Sequence, residues 1–517
     1  MVSIESKKIK SRIVAKGYGD SGASTTRKAF KGFIAQSGNV NEDIGEHLDL
    51  LMERNRILYM SAPIATSAIK TSRTNVIGSG LKPKSRINRD ILKMTPEEAD
   101  AWEKNTEFEF SLWADNKQAC DATGVNNFYG LEQQAFTASY LSGDSIVLVK
   151  MAEYKKMMPY TLRLHIIEAD RLSTPVKLKY VKEGVSECEN GNMIYNGVEV
   201  DDSGNIVAYH IRQENKNGSF SDEWIRVPAY SESTGLPNVI QVMNTERPEQ
   251  YRGVPFLSQI IEPLLQLRRY SDSEITSAVV QSMLSVFIYT DTNGEMPFNE
   301  TDESNQVSSD PNDYELGPAT INILKPNERM ELAESKHPNS NFQAFVRSII
   351  CQIGAAIEIP ADILLKEFNS SYSASRAALL EAWKSFKMHR TWFIDDFCDP
   401  IYEIWLSEAI ARGRIHAPGF FDDPKIRKAY LGVKWIGPAP GQLDPVKEVT
   451  AHILATEHGF ETNEQATVEL NGGNWDDNIE QITQENKLLM ESLTGQVQNL
   501  DLNEIIKTTL MEEKQNG

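Results

Sequence analysis

Acidic side chains are grouped at Asp121, Asp201-Asp202, Asp395-Asp396, Asp422-Asp423 and Asp476-Asp477. Paired carboxylates can hold Mg²⁺ for two-metal nuclease chemistry. Adjacent aspartates in a loop or at a helix end are more often simply solvated, and that is the reading adopted here. The turn Gly78-Ser-Gly-Leu-Lys82 has glycines and a lysine but lacks the G-x-x-x-x-G-K-[ST] spacing that wraps a phosphate in backbone N–H groups. It reads as a turn. No G-x-S-x-G occurs, and no two histidines stand at helical zinc-ligand spacing. His165 and His210 fall in β-like runs and read as structural. Cys120, Cys188, Cys351 and Cys398 form no C-x-x-C pair, so buried, reduced, structural cysteines are expected. The chemistry in reach is therefore thin: no enzyme, no cofactor and no bound metal are expected.

Charge narrows the function further. The 517 residues carry a net charge of −20. A protein that grips DNA by releasing counterions presents clustered Lys and Arg, so any DNA met here is expected to slide rather than bind. The balance is uneven. Residues 1–33 hold eight Lys or Arg against Glu5 and Asp20, whereas residues 444–517 hold fifteen acids and four lysines. The first reads as a flexible basic arm over 1–40 and the second as a solvated helical region. The chain length suggests several domains. It contains no run of the ~18 apolar residues that a membrane-spanning helix needs, and no signal peptide is expected.

The elements that must position these residues follow from periodicity. Helical spacing runs from Asn41 to Ile77, with Leu48, Leu51, Met52, Ile57 and Leu58 in one stripe. Thr95-Pro-Glu-Glu98 reads as a helix start: an N-cap, Pro in the first turn, then acids. Another helix is expected from Asn127 to Ser142. Residues 145–245 carry β-rich runs separated by turn residues, predicting a small, mainly antiparallel domain. Next comes a long helix over 256–287, kinked at Pro263 and, at about thirty residues, roughly 45 Å long. A second helix opens at Ser340 with a Ser340/Gln343 capping box. The polar, turn-rich residues 290–320 and a strand at Ile321–Leu324 lie between them, so the pair reads as a projection with a polar tip. A further helix carries Leu379, Trp383, Phe386, Phe393 and Phe397 and is interrupted at Asp399-Pro400. Acidic helices follow Gly437-Pro-Ala-Pro-Gly441.

Several stretches in collinear order resemble the lambda-type family of tailed-phage portal proteins. They include Arg54-Asn-Arg56, Asn75–Gly80, Cys120–Gly124, Phe128–Glu132, Glu168–Leu172, Gly197–Asp201 and Ala208–Ile211. The strongest is Arg247-Pro-Glu-Gln-Tyr-Arg-Gly-Val-Pro255, with Arg247, Pro248, Gln250, Arg252 and Gly253 as its marker residues. Tyr372-Ser-Ala-Ser-Arg-Ala-Ala378 is similar to the family's Tyr-Ser-Ser-x-Arg pattern, through Tyr372, Ser373 and Arg376; Asp444–Glu448 and Gly459–Thr462 match near the end. Gln241 departs from an expected histidine, which puts a role for that position in doubt.

The resemblance implies an α+β, multidomain portal fold, with two long stem helices, a β-rich wing and a helical crown. It places the wing at 41–250, stem helices at 251–287 and 326–360, the clip at 288–325, the tunnel loop at 361–376, connecting helices at 377–440 and the crown at 441–517. It also implies a ring, commonly a dodecamer, at one capsid vertex of the virion, assembled in the host cytoplasm. The implied partners are the terminase large subunit, major capsid and scaffold proteins, head–tail connector proteins and double-stranded DNA in transit. Tunnel candidates are Lys366, Asn369, Ser370, Ser371, Tyr372, Arg268 and Arg269, the two arginines serving equally well as intersubunit salt-bridge partners. Clip candidates for terminase or connector binding are Asp291, Asn293, Glu295, Asp302, Glu303, Asp310, Asp313 and Tyr314. Two other readings stay open: a metal-dependent nuclease or packaging ATPase built on Asp395 and Asp396, and a different structural ring of the phage neck.

Overall fold

The computed structural model describes residues 22–25, 27–35, 37–215, 217–282, 286–288, 321–323, 341–368, 371–441 and 444–498. It is a mixed helix-and-sheet fold. The first helical stretch divides into α1 (Val40–Gly45), α2 (Leu48–Ser61) and α3 (Pro63–Val76). Pro63 causes the last break: its ring pushes the preceding residue out of the helical region, and Ala62 sits at φ −115°, ψ 111°. At the turn that follows, a Cβ on Gly80 would lie 2.4 Å from Tyr129, and the Leu81 N–H donates to the fully buried Glu132 carboxyl at 2.7 Å. The Gly-Ser-Gly-Leu-Lys stretch is thus a packed turn.

β1 (Lys82–Ser85) leads to α4 (Arg89–Leu92), α5 (Pro96–Ala114), α6 (Lys117–Cys120) and α7 (Phe128–Ser142). α5 opens on the expected Thr95 cap, completed by Glu98 as a capping box. Phe110, Trp113 and Phe128 are fully buried in an aromatic core.

The β-rich region forms two sheets. β2 (Asp144–Met151), β3 (Leu162–Ile167) and β10 (Val239–Met243) make a three-stranded antiparallel sheet in the order β10-β2-β3. β4 (Lys179–Lys182), β5 (Val185–Glu187), β6 (Met193–Tyr195), β7 (Val198–Val200), β8 (Ile206–Glu214) and β9 (Phe220–Pro228) form an antiparallel meander in sequence order. The three-stranded sheet is buried on both faces. Val147 and Ile240 join the helical core, while their neighbours Ile146 and Val239 join the small core under the meander. Strand alternation sends successive side chains to opposite faces, and both faces here are apolar.

After a short 3₁₀ turn, α8 (Ile261–Ser282) begins. It has 22 residues, about 33 Å at 1.5 Å per residue, shorter than the sequence suggested. The expected kink at Pro263 is corrected: Pro263 falls in the helix's first turn, where a missing N–H breaks no intrahelical bond. β11 (Val286–Ile288) pairs in parallel with β12 (Ile321–Ile323). α9 (Phe342–Ala356) starts with Asn341 at its N-cap position; Ser340 of the expected capping box lies outside the described residues. Tyr270 of α8 packs on Phe342 and Phe345 of α9, with ring centroids 5.4 and 5.1 Å away.

α10 (Ala361–Leu365) and α11 (Tyr372–Phe393) follow, and then α12 (Asp399–Ala411). The expected interruption at Asp399-Pro400 is a π turn over Ile394–Cys398 that keeps α11 and α12 continuous. Pro400 has no N–H for the i→i−4 ladder, and the wider turn absorbs that loss. α13 (Pro424–Tyr430) and β13 (Val433–Ile436), antiparallel to β1, precede α14 (Pro445–Glu457), α15 (Asn463–Asn471) and α16 (Trp475–Gln498).

Candidate functional site

The residues of the Arg247–Pro255 motif meet at one joint. Gln250 is buried and organises its own loop: its carbonyl oxygen accepts from the Glu246 and Arg247 N–H groups at 2.9 and 3.2 Å, and its amide donates to the Arg252 carbonyl at 2.9 Å. Glu249 takes a left-handed conformation, φ 61°, completing the turn after the exposed Pro248. The loop presents Arg252, 4% exposed, to Asp144, which is wholly buried at the start of β2. Nε and Nη2 donate to the two carboxylate oxygens at 2.5 and 3.2 Å. The remaining donors reach backbone carbonyls of Leu172 (2.8 Å), Asn196 (2.6 Å) and Ala169 (3.3 Å).

One guanidinium therefore holds the β2 strand, the loop before the meander and the β6–β7 turn together. A buried ion pair is tolerable only when its spare donors and lone pairs are satisfied, and these are. Gln241, whose role the sequence left in doubt, donates to the same Asp144 oxygen at 3.0 Å and to the Tyr251 carbonyl at 3.1 Å.

Two glycines let the chain segments close. A Cβ on Gly253 would sit 1.9 Å from the Gly143 carbonyl oxygen, and one on Gly143 2.4 Å from that of Gly253. Arg247 reaches outward to Asp43 of α1 at 2.6 Å, and Tyr251 stacks on Tyr195 with centroids 5.1 Å apart. The Phe256 N–H then donates to the Tyr140 carbonyl of α7 at 3.0 Å, just before α8 begins. The motif thus fixes how α8 leaves the sheet and the helical body.

The tunnel candidates are dispersed by comparison. Lys366 is exposed in a left-handed conformation (φ 55°) at the end of α10, which is held to α3 by Ser67 donating to the Leu364 carbonyl at 2.7 Å. Ser371 is exposed at the N-cap position of α11; Tyr372 is its first residue and Ser373 is exposed. Asn369 and Ser370 lie outside the described residues. Arg376 pairs with Glu448 of α14 at 3.2 Å, so two stretches that carried the family resemblance touch. Arg268 and Arg269 are exposed on α8, and Arg268 reaches Asp272 at only 3.9 Å. Asp291, Asn293, Glu295, Asp302, Glu303, Asp310, Asp313 and Tyr314 all lie outside the described residues.

Of the acidic groupings, Asp121 closes its own loop, accepting from the N–H groups of Thr123, Val125 and Asn126. Asp396 accepts from the Met243 N–H at 3.3 Å, and burial pushes its carboxyl up to about 6. Its neighbour Asp395 is exposed.

Among the described residues, the metal-ligand types come close together elsewhere, at Cys188–Glu199–His210 and at His452–Glu461–Glu469. Glu199 is fully buried and already saturated. It accepts from Arg226 (2.7 and 3.0 Å), Asn192 (2.7 Å), His210 (2.9 Å) and Asn190 (3.0 Å). Burial pushes its pKa up, but these donors outweigh that and hold it far below the usual carboxylate range. This knot ties the β6–β9 part of the meander together. Sequence reading missed it, although both Glu199 and His210 lie in stretches it had singled out. The expectation of four buried cysteines needs correction: Cys120 and Cys398 are buried and Cys188 half-buried, but Cys351 is exposed on the outward side of α9.

Residues 26–390 match the model of the family described as phage portal protein, lambda family. Portal protein B of Escherichia phage lambda is 22% identical over 420 residues, spanning 78% of this chain and 76% of that protein. The portal protein of Escherichia phage N15 is 22% identical over 422 residues, spanning 78% and 77%. Among solved structures, the neck of a native gene transfer agent particle aligns at 12% identity. That alignment covers 82% of this chain and 93% of the other, with a TM-score of 0.39.

Proposed function

Since the chain belongs to the lambda family of phage portal proteins, we propose that it works as a ring of identical subunits, a dodecamer, at one vertex of the capsid. DNA is packaged and ejected through the ring's channel, and the ring is the docking platform for the terminase large subunit and later for head–tail connector proteins. Its role is structural rather than catalytic. In this reading residues 41–250 form the wing, α8 and α9 lie in the stem, and 288–325 make the clip. The segment 361–376 faces the tunnel, 377–440 connect wing to crown, and 441–517 form the crown.

The observation that carries the reading is the Arg252–Asp144 joint, built from the family's own motif. It gives α8 a fixed exit from the sheet, as a subunit must have if identical copies are to close around an axis. The channel side is lightly charged: Lys366, Arg268 and Arg269 give passing phosphates exposed, weak contacts in an acidic protein. Such contacts keep DNA moving.

Electron microscopy of the purified full chain tests the reading. Rings with a central hole wide enough for duplex DNA are expected, and a chain that stays monomeric at high concentration would refute it. Removing residues 290–320 is expected to leave rings intact and abolish terminase docking. Docking that survives the deletion would show the clip assignment to be wrong.

A further inference from the structure

The six-stranded meander ends in two edges of opposite charge. At one edge β4 and the residue pair before it present Lys177 and Lys179, both exposed, with Tyr180 and Val181 72% and 46% exposed. At the other, β9 presents Asp222 and Glu223, both exposed, with Phe220 and Ile225 43% and 51% exposed. Neither edge is covered by another strand among the described residues. Lys179 and Asp222 are paired inside the chain, with Glu187 and Arg212.

An uncovered edge offers unpaired backbone N–H and C=O groups and invites another chain. Here each edge is also short in regular ladder. The register shifts after Tyr180 in β4, and in β9 before Trp224. Pairing is thereby confined to a few residues, and side chains decide which partner fits.

Two β4 edges brought together would oppose lysines. On β9, Arg226 is engaged with the buried Glu199, so two β9 edges would meet acid to acid across the bulge. Only β4 against β9 sets opposite charges together, with an exposed aromatic and an exposed branched side chain on each side. Opposite charges facing across strands stabilise pairing and like charges oppose it.

Building on the ring reading above, we propose that the β4 edge of one copy of this chain packs against the β9 edge of the next. Such a contact uses two different patches, so it is head-to-tail and adds subunits in one rotational sense, the kind of interface that closes rings. The two charged edges supply the discrimination against two-fold dimers.

Two single charge reversals test this in the full chain without touching the pairs made inside it: Lys177→Glu and Glu223→Lys. Each alone opposes like charges at every contact and is expected to raise the concentration needed for assembly on the order of fivefold, read by mass photometry. Mixed in equal amounts, they restore attraction at every contact of an alternating ring, so assembly returns to the parent's level. As a charge-independent check, Val181→Cys and Ile225→Cys are combined in a Cys351→Ser background, and oxidation is expected to give a ladder of crosslinked subunits.

Parent rings with unaffected charge variants and no crosslinked ladder would overturn the edge contact and leave the ring reading standing. A parent that forms no ring would sink both. Crosslinking through Ile225→Cys alone would replace the head-to-tail contact by a two-fold one and so refute it.

Discussion

Arg252–Asp144 and Arg226–Glu199 are both arginine–carboxylate pairs on a fully buried acid, yet they are placed to do different work. Arg252 is itself buried and spreads its donors over Asp144 of β2 and over backbone carbonyls from two further segments, the loop before the meander and the β6–β7 turn. Arg226 is 46% exposed and closes a knot whose members all lie between residues 190 and 226 of one sheet. The first couples parts of the molecule to each other, whereas the second stiffens one part. A buried carboxylate therefore does not by itself mark a functional joint. What marks it is how far apart in the chain the groups are that its partner gathers.

The sharpest way to break that contrast is Arg252→Met. It leaves Asp144 buried and unpaired, which costs about 3–5 kcal/mol. Because the lost bonds join the sheet to the lead-in of α8, cooperative unfolding of the whole chain is expected at lower denaturant, checked by circular dichroism at matched protein concentration. The double variant Arg252→Met, Asp144→Leu removes both charges and is expected to recover most of the loss. If it recovers nothing, the carbonyl contacts of Arg252 outweigh its ion pair.

How much of this was legible in sequence depends on distance along the chain. The Thr95–Glu98 cap is a contact between residues three apart, and it formed as read. β-rich runs between turn residues announced the strands, but not that β2 is buried on both faces, since that depends on what packs against each of them. The motif around Arg252 stood out in sequence only through its resemblance to a family pattern. Its partner Asp144 lies 108 positions away and carries no local sign of the pairing. The π turn was equally hidden: a proline in a helical pattern signals a lost bond and not how neighbouring turns absorb it. The exposed tunnel candidates were named from resemblance alone, and nothing in their spacing says which of them face one another.

Glu199→Gln probes the second region, and pH gives its signature. Glu199 is held below its ordinary value in the folded chain. As pH falls below about 4.3, the usual glutamate value, the unfolded chain takes up a proton that the folded one refuses, so stability declines. The carboxylate's contribution is thus present above that pH and is lost below it. Glu199→Gln should lower stability by about 2–3 kcal/mol near neutrality, and the gap to the parent should narrow on acidification. Hydrogen exchange should localise the loss to β6–β9. A variant that instead loosens α8 would erase the distinction between the two regions.

The smallest effect is expected at Arg376→Ala. Its pair with Glu448 is partly exposed, with 38% of the arginine side chain open to solvent, and exposed pairs contribute about 0–1 kcal/mol. Thermal unfolding should hardly move. The pair nevertheless joins α11 to α14 across 72 residues of sequence, so in this respect it resembles Arg252 more than Arg226. If reach along the chain is what marks a joint, the loss should appear as faster proteolysis of α14–α16 while the melting temperature stays constant. Unchanged proteolysis would show that reach matters only where the pair is also buried, which would confine the inference to Arg252 and Asp144.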